Sequence, residues 1–136
     1  MIKIGIVDDE LIFRTYLKTT LDWQAYGFDL CLEAKNGIDA LKRMEEILPD
    51  ILLCDINMPF MNGIELSAAI KEKYPQMVII LLTGYNEFEY ARNALRIGVN
   101  DYIWKPFDKK ELLTTLNEIK KKVLLQRQAY SEEERD

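Results

Sequence analysis

A single acid and a group of three stand at the ends of two apolar runs that lie far apart in the chain. Ile51-Leu52-Leu53-Cys54 ends at Asp55 and leaves through Asn57-Met58-Pro59-Phe60-Met61-Asn62-Gly63, while Ile2-Lys3-Ile4-Gly5-Ile6-Val7 ends at Asp8-Asp9-Glu10. Apolar runs of this length read as buried strands, so in both places the chain leaves the core at a carboxylate. Side by side, Asp8, Asp9 and Asp55 would form a divalent-cation site, because converging negative charges repel unless a cation offsets them. Magnesium suits such a site, being content with one or two carboxylates, waters and a phosphate, and manganese is the alternative. With the charge offset, a phosphoryl group can approach Asp55, whose carboxylate can act as nucleophile and form an acyl phosphate. The plainer role for Asp8-Asp9 is to cap a helix starting at Leu11, where an acid favours the positive end of the dipole.

Two more strand ends carry groups that such chemistry needs. Leu81-Leu82 runs into Thr83-Gly84, a hydroxyl donor with a small neighbour, and Asp101-Tyr102-Ile103-Trp104 runs into Lys105-Pro106-Phe107. The lysine could place its ammonium on a phosphoryl oxygen, and its bond to Pro106 can be cis, which would set its direction. Taken singly, Thr83 reads as a turn or cap threonine and Lys105 as a surface lysine. The combination is specific: acids ending strands one and three, a hydroxyl ending strand four, a lysine ending strand five.

The elements that must position these groups alternate along the chain. Strands are expected at 2–7, 28–33, 50–54, 77–82 and 100–103. Helical patterns run from Leu11 to Trp23, Gly37 to Leu48, Gly63 to Tyr74, Asn86 to Ile97 and Lys109 to about Leu125. Ile38-Leu41-Met44 and Leu112-Leu116-Ile119-Val123 mark single apolar helix faces, whereas Met77 to Leu82 is continuously apolar, as in a strand covered on both sides. Five strand–helix units imply right-handed crossovers and a parallel sheet between two helical layers, a flavodoxin-like (βα)5 three-layer sandwich. With strand order 2-1-3-4-5, strands one and three flank the point where the order reverses, which is where such sheets bind ligands.

Length and composition bound the rest. The 136 residues, 49% of them hydrophobic, amount to one domain spanning 1–125, followed by a polar linker or disordered tail at 126–136. The formal charge of −5 argues against direct nucleic-acid contact, and no apolar stretch is long enough to span a membrane, so a cytoplasmic setting is expected. Cys31 and Cys54 sit in apolar runs as small hydrophobes. Histidine is absent, which leaves oxygen ligands for any cation.

Through Val7-Asp8-Asp9-Glu10, Asp55 with Met58-Pro59 and Gly63, Leu82-Thr83-Gly84 and Lys105-Pro106, the chain closely resembles the receiver domain of bacterial two-component response regulators. The likeness covers about residues 1 to 125. It implies that Asp55 accepts a phosphoryl group from the phosphohistidine of a sensor kinase. It also implies that Asp8, Asp9, Asp55 and the backbone carbonyl of Asn57 hold magnesium, and that Thr83 and Lys105 bind the phosphoryl oxygens. Tyr102 stands where the family has an aromatic that moves with the threonine, altering the output surface around the helix from Asn86 and the last helix. The segment Thr83 to Ala91, with Lys105-Pro106-Phe107, resembles receivers found ahead of AraC-type helix-turn-helix domains, which implies the receiver portion of a longer regulator with a DNA-binding effector, a stand-alone receiver being the alternative; a homodimer on phosphorylation is a further expectation of the family. Tyr85 is expected to overhang the acyl phosphate and slow its hydrolysis.

A flavodoxin-type phosphate loop is excluded by the acids after strand one, which would repel a phosphate. Aspartyl phosphatases, as families, carry a second acid two residues after the nucleophile, where this chain has Asn57. The remaining alternative is a pseudo-receiver that binds a partner without phosphorylation.

Overall fold

The computed structural model describes residues 1–84, 89, 92, 93, 96 and 98–135, with side chains up to residue 129 at the C-terminal end. In chain order the elements are β1 (Ile2–Val7), α1 (Leu11–Thr20), a 3-10 turn (Trp23–Tyr26), β2 (Phe28–Ala34), α2 (Gly37–Met44), β3 (Ile51–Asp55), α3 (Gly63–Lys73), β4 (Val78–Thr83), β5 (Asp101–Trp104) and α4 (Lys109–Arg135). The expected helix from Asn86 to Ile97, and Tyr85 with it, lies largely outside the described residues.

All strand pairs are parallel, and the sheet order is β2-β1-β3-β4-β5. Side chains alternate across the pleat, so each central strand feeds two cores. Ile51 and Leu53 of β3, with Val78, Ile80 and Leu82 of β4, face a core closed by Leu17, Leu112, Leu116 and Ile119. Leu52 and Cys54, with Ile79 and Leu81, face a second core closed by Ala40, Met44, Leu66 and Ile70. This double burial is why β3 and β4 read as unbroken apolar runs rather than alternating ones.

Helix ends depart from the expected ones for local reasons. α1 stops at Thr20 because Leu21 turns to extended backbone (φ −129°, ψ 149°), which lets Trp23 swing into the core, where its indole N–H donates to the Leu17 carbonyl at 3.0 Å. α2 stops at Met44, short of Leu48, where its last turn tightens, the Glu45 N–H donating to the Lys42 carbonyl at 3.3 Å and the Glu46 N–H to the Arg43 carbonyl at 3.1 Å, and Pro49 keeps Leu48 itself out of the helical region. α4, by contrast, passes Leu125 and runs to Arg135. No glycine or proline interrupts it, and Arg127 Nη2 meets Asp50 Oδ2 at 2.7 Å, fastening the extension to the loop before β3. Leu112, Leu116, Ile119 and Val123 are all buried against the sheet, so this face belongs to the core. No helix among the described residues is long and apolar enough to cross a membrane.

Candidate functional site

Sheet register aligns the chemistry-bearing residues at the carboxyl ends of four adjacent strands. Val7 pairs with Cys54, so Asp8 and Asp55 leave β1 and β3 next to each other. Asp55 pairs with Leu82, and Thr83 with Trp104, so Thr83 and Lys105 continue the row. The backbone N–H of Lys105 donates to the Thr83 carbonyl at 2.7 Å, which ties the last two strand ends together.

Asp8, Asp55 and Thr83 are buried, the only polar residues besides Ser67 among the described ones to be so. The Lys105 ammonium spans the two acids, 3.0 Å from Asp55 Oδ1 and 3.2 Å from Asp8 Oδ2. Burial raises the Asp8 carboxyl above its ordinary value, and the Glu10 N–H donated to Oδ1 at 2.9 Å and the nearby Lys105 only partly offset this. Burial also works against the charge on Lys105, yet Asp55 and Asp8 together outweigh it and hold the ammonium above its ordinary value. The buried acids therefore need a positive charge, and one lysine supplies part of it. Thr83 donates its hydroxyl to the Gly84 carbonyl at 3.2 Å. Cys54, beside Asp55, is wholly buried, and burial pushes its thiol well up, which makes it an inert core group.

The acids after β1 form a second, more open group. One carboxylate oxygen from each of Asp8, Asp9 and Glu10 lies within 4.8 Å of the others, with Asp9 and Glu10 exposed. Glu10 is also the residue that caps α1, without a side-chain hydrogen bond. The donors here are all hard oxygens, the set that suits magnesium. Asn57 is exposed in the loop leaving β3. That loop is held close by Gly63, whose N–H donates to the Ile56 carbonyl at 2.8 Å; a Cβ at position 63 would run into the backbone carbonyl of Asp55. Asn62 starts α3 with a reciprocal capping box to Glu65, so the turn from Asp55 into α3 is fixed at both ends.

The Lys105-Pro106 bond is cis. Phe13 and Tyr16 of α1, which were not among the residues singled out from the sequence, clamp this turn. Lys105 Nζ sits 4.1 Å from the Phe13 ring centre, Phe13 packs edge-on to Phe107 at 5.9 Å, and the Tyr16 hydroxyl donates to the Phe107 carbonyl at 3.0 Å. Their spacing of three on one helix face was the available signal, but it reads equally as core. Tyr102 is half-buried against the second core and edge-on to Trp104 at 6.0 Å.

The family model for the response regulator receiver domain matches residues 4–117. The chain belongs to this family. Receiver domains are signalling modules of two-component systems, not enzymes of the usual kind. Over 119 residues this receiver is 34% identical to YesN of Bacillus subtilis (strain 168), an uncharacterized transcriptional regulatory protein, covering 88% of this chain and 32% of that one. It thus spans about a third of that relative's length. The solved REC domain of AraT, a response regulator from Geobacillus stearothermophilus, has a TM-score of 0.86 at 35% identity, covering 92% of this chain and 97% of that one. A two-component transcriptional regulator AraC from Clostridium phytofermentans ISDg has the same score and identity, over 93% and 98% of the two chains.

Proposed function

We propose that this receiver is a phosphorylation-dependent switch in which Asp55 accepts a phosphoryl group from the phosphohistidine of a sensor kinase. The observation that carries the reading is the Lys105 ammonium shared by two buried carboxylates, 3.0 and 3.2 Å away, at the carboxyl edge of the sheet. An Asp55 oxygen attacks phosphorus in line as the donor's N–P bond breaks, and the imidazole leaves with the electron pair and takes up a proton. The product is an acyl phosphate on Asp55. These 136 residues contain no histidine, so the donor imidazole lies outside them.

Asp8, Asp9, Asp55 and the Asn57 carbonyl are the residues assigned to Mg2+, with Mn2+ as a substitute. The ion supplies charge neutralisation between nucleophile and incoming phosphoryl group. Lys105, already beside Asp55, pairs with a phosphoryl oxygen, and Thr83 turns its hydroxyl from the Gly84 carbonyl to another. Movement of Thr83 leaves room for Tyr102 to turn inward, which biases one of two pre-existing states of the surface around β5 and α4. Residues 1–125 are the receiver in this reading, and the stretch from 126 leads towards an effector, DNA-binding as in the regulators it resembles. A homodimer formed on phosphorylation and a cytoplasmic location complete it.

Intact-mass measurement after incubation with acetyl phosphate tests the reading, comparing wild type, Asp55→Asn and a metal-free control. A magnesium-dependent gain of one phosphoryl group, lost in the variant, is expected. No gain, with no fluoroberyllate binding either, would turn the assignment to a phosphorylation-independent binding module.

A further inference from the structure

The acidic loop between β1 and α1 is held from outside the acid cluster by a cation that the phosphoryl chemistry does not use. Arg14 lies one helical turn beyond the loop, its backbone N–H donating to the Glu10 carbonyl at 3.0 Å. Its guanidinium folds back, so that Nη1 donates to the backbone carbonyl of Asp8 at 2.8 Å and Nε meets Glu33 Oε2 of β2 at 3.2 Å. Glu33 is fixed in turn by Lys18 Nζ at 2.9 Å from Oε1. The Arg14 side chain is only 14% exposed.

Every polar atom of Asp8 is consequently tied to a different part of the molecule. Its N–H donates to the Ala34 carbonyl of β2, its carbonyl accepts from Arg14, Oδ1 accepts from Glu10 and Oδ2 faces Lys105. Three of those partners are backbone neighbours or the site lysine; Arg14 is the one that reaches the peptide plane joining Asp8 to Asp9. The orientation of that plane decides where the Asp9 carboxylate points relative to Asp8.

We propose that Arg14, braced by Glu33, is a positioning residue that presets the Asp8-Asp9-Glu10 loop for a divalent cation. This rests on the assignment of magnesium to Asp8, Asp9, Asp55 and the Asn57 carbonyl, the first two of which stand in that loop. A planar guanidinium can serve the Asp8 carbonyl and Glu33 at once from a fixed fork, whereas a lysine ammonium is a flexible point donor. Groups that orient a metal's ligands typically govern its affinity by about 10–100-fold.

Coulomb forces and positioning predict opposite signs, which makes the inference separable. Removing a positive charge near a cation site should by itself tighten cation binding. Loss of positioning should loosen it. Arg14→Lys, which keeps the charge, isolates the second effect.

The test is a MgCl2 titration of the 15N-labelled full chain followed through the Asp9 and Glu10 amides, for wild type, Arg14→Lys, Arg14→Gln and, as a control at an exposed lysine of α2, Lys42→Gln. Amide spectra and melting midpoints in EDTA identify folded variants. Weaker magnesium binding by about tenfold is expected for both Arg14 variants, with Lys42→Gln within about twofold of wild type. Arg14→Lys and Arg14→Gln binding as tightly as wild type, or more tightly, would overturn the positioning role, as would an equal loss in Lys42→Gln. Wild type failing to bind magnesium would overturn the cation assignment itself and this inference with it.

Discussion

Replacing Lys105 by methionine removes the ammonium that bridges Asp8 and Asp55 while keeping an apolar stem against Phe13. At 3.0 and 3.2 Å, each contact is worth about 5 kcal/mol of attraction at an effective dielectric of about 20, before the desolvation of the charges is subtracted. Breaking a buried pair by deleting one partner usually costs about 3–5 kcal/mol. Lys105 is 22% exposed, and one acid can take up a proton when the ammonium is gone, so about 2–4 kcal/mol is the expected loss. For a domain of this size each kcal/mol moves the melting midpoint by roughly 3–5 °C, which makes the shift about 10 °C in EDTA. The sign at neutral pH follows from the lysine's titration. Its folded value is raised above 10.5, so its stabilisation is complete below 10.5 and lost only as pH rises through the folded value. Added magnesium supplies the missing charge and should raise the variant's midpoint more than that of wild type. Differential scanning calorimetry in EDTA and in magnesium measures both. A variant as stable as wild type in EDTA, with no larger response to magnesium, would refute the account of Lys105 as the internal counter-charge.

Gly63→Ala drives a Cβ into the Asp55 carbonyl, and a loss of about 1–3 kcal/mol is expected in urea unfolding; an unchanged midpoint would show that the turn yields freely. Phe60 is 88% exposed with φ +68°, and the Met61 N–H donates to the Pro59 carbonyl around it; this is a strained three-residue turn. Phe60→Gly should therefore stabilise by about 1 kcal/mol in the same measurement. The Glu33 carboxyl is held below its ordinary 4.5, first by the Lys18 hydrogen bond and then by Arg14, against the opposing effect of burial. Its stabilisation is present above pH 4.5 and lost as pH falls through the depressed value, so Glu33→Gln should flatten the acid side of stability measured between pH 7 and pH 3.

Much of the architecture is legible in the chain because periodicity is a property of neighbouring residues. Continuous apolar runs ending in Asp8, Asp55, Thr83 and Lys105 announce strands whose ends carry chemistry, and the alternation with helical patterns implies a parallel sheet. Element ends are less legible, since they depend on what the next residue packs against. Trp23 leaves α1 to reach the core, and α4 continues past Leu125 with Arg127 fastened to Asp50. Cation balance in the site is set by the fold alone. That Lys105 bridges two acids, that Phe13 lies against its ammonium and that Arg14 holds the Asp8 carbonyl while gripping Glu33 all depend on strand register and the path of α1. Residues up to 97 positions apart meet there. Which groups stand at the strand ends can thus be read along the chain, because backbone alternation and burial act locally. Which of them touch follows from the folded chain, because a charge-to-carboxylate contact depends on ångström distances that no spacing along the chain encodes.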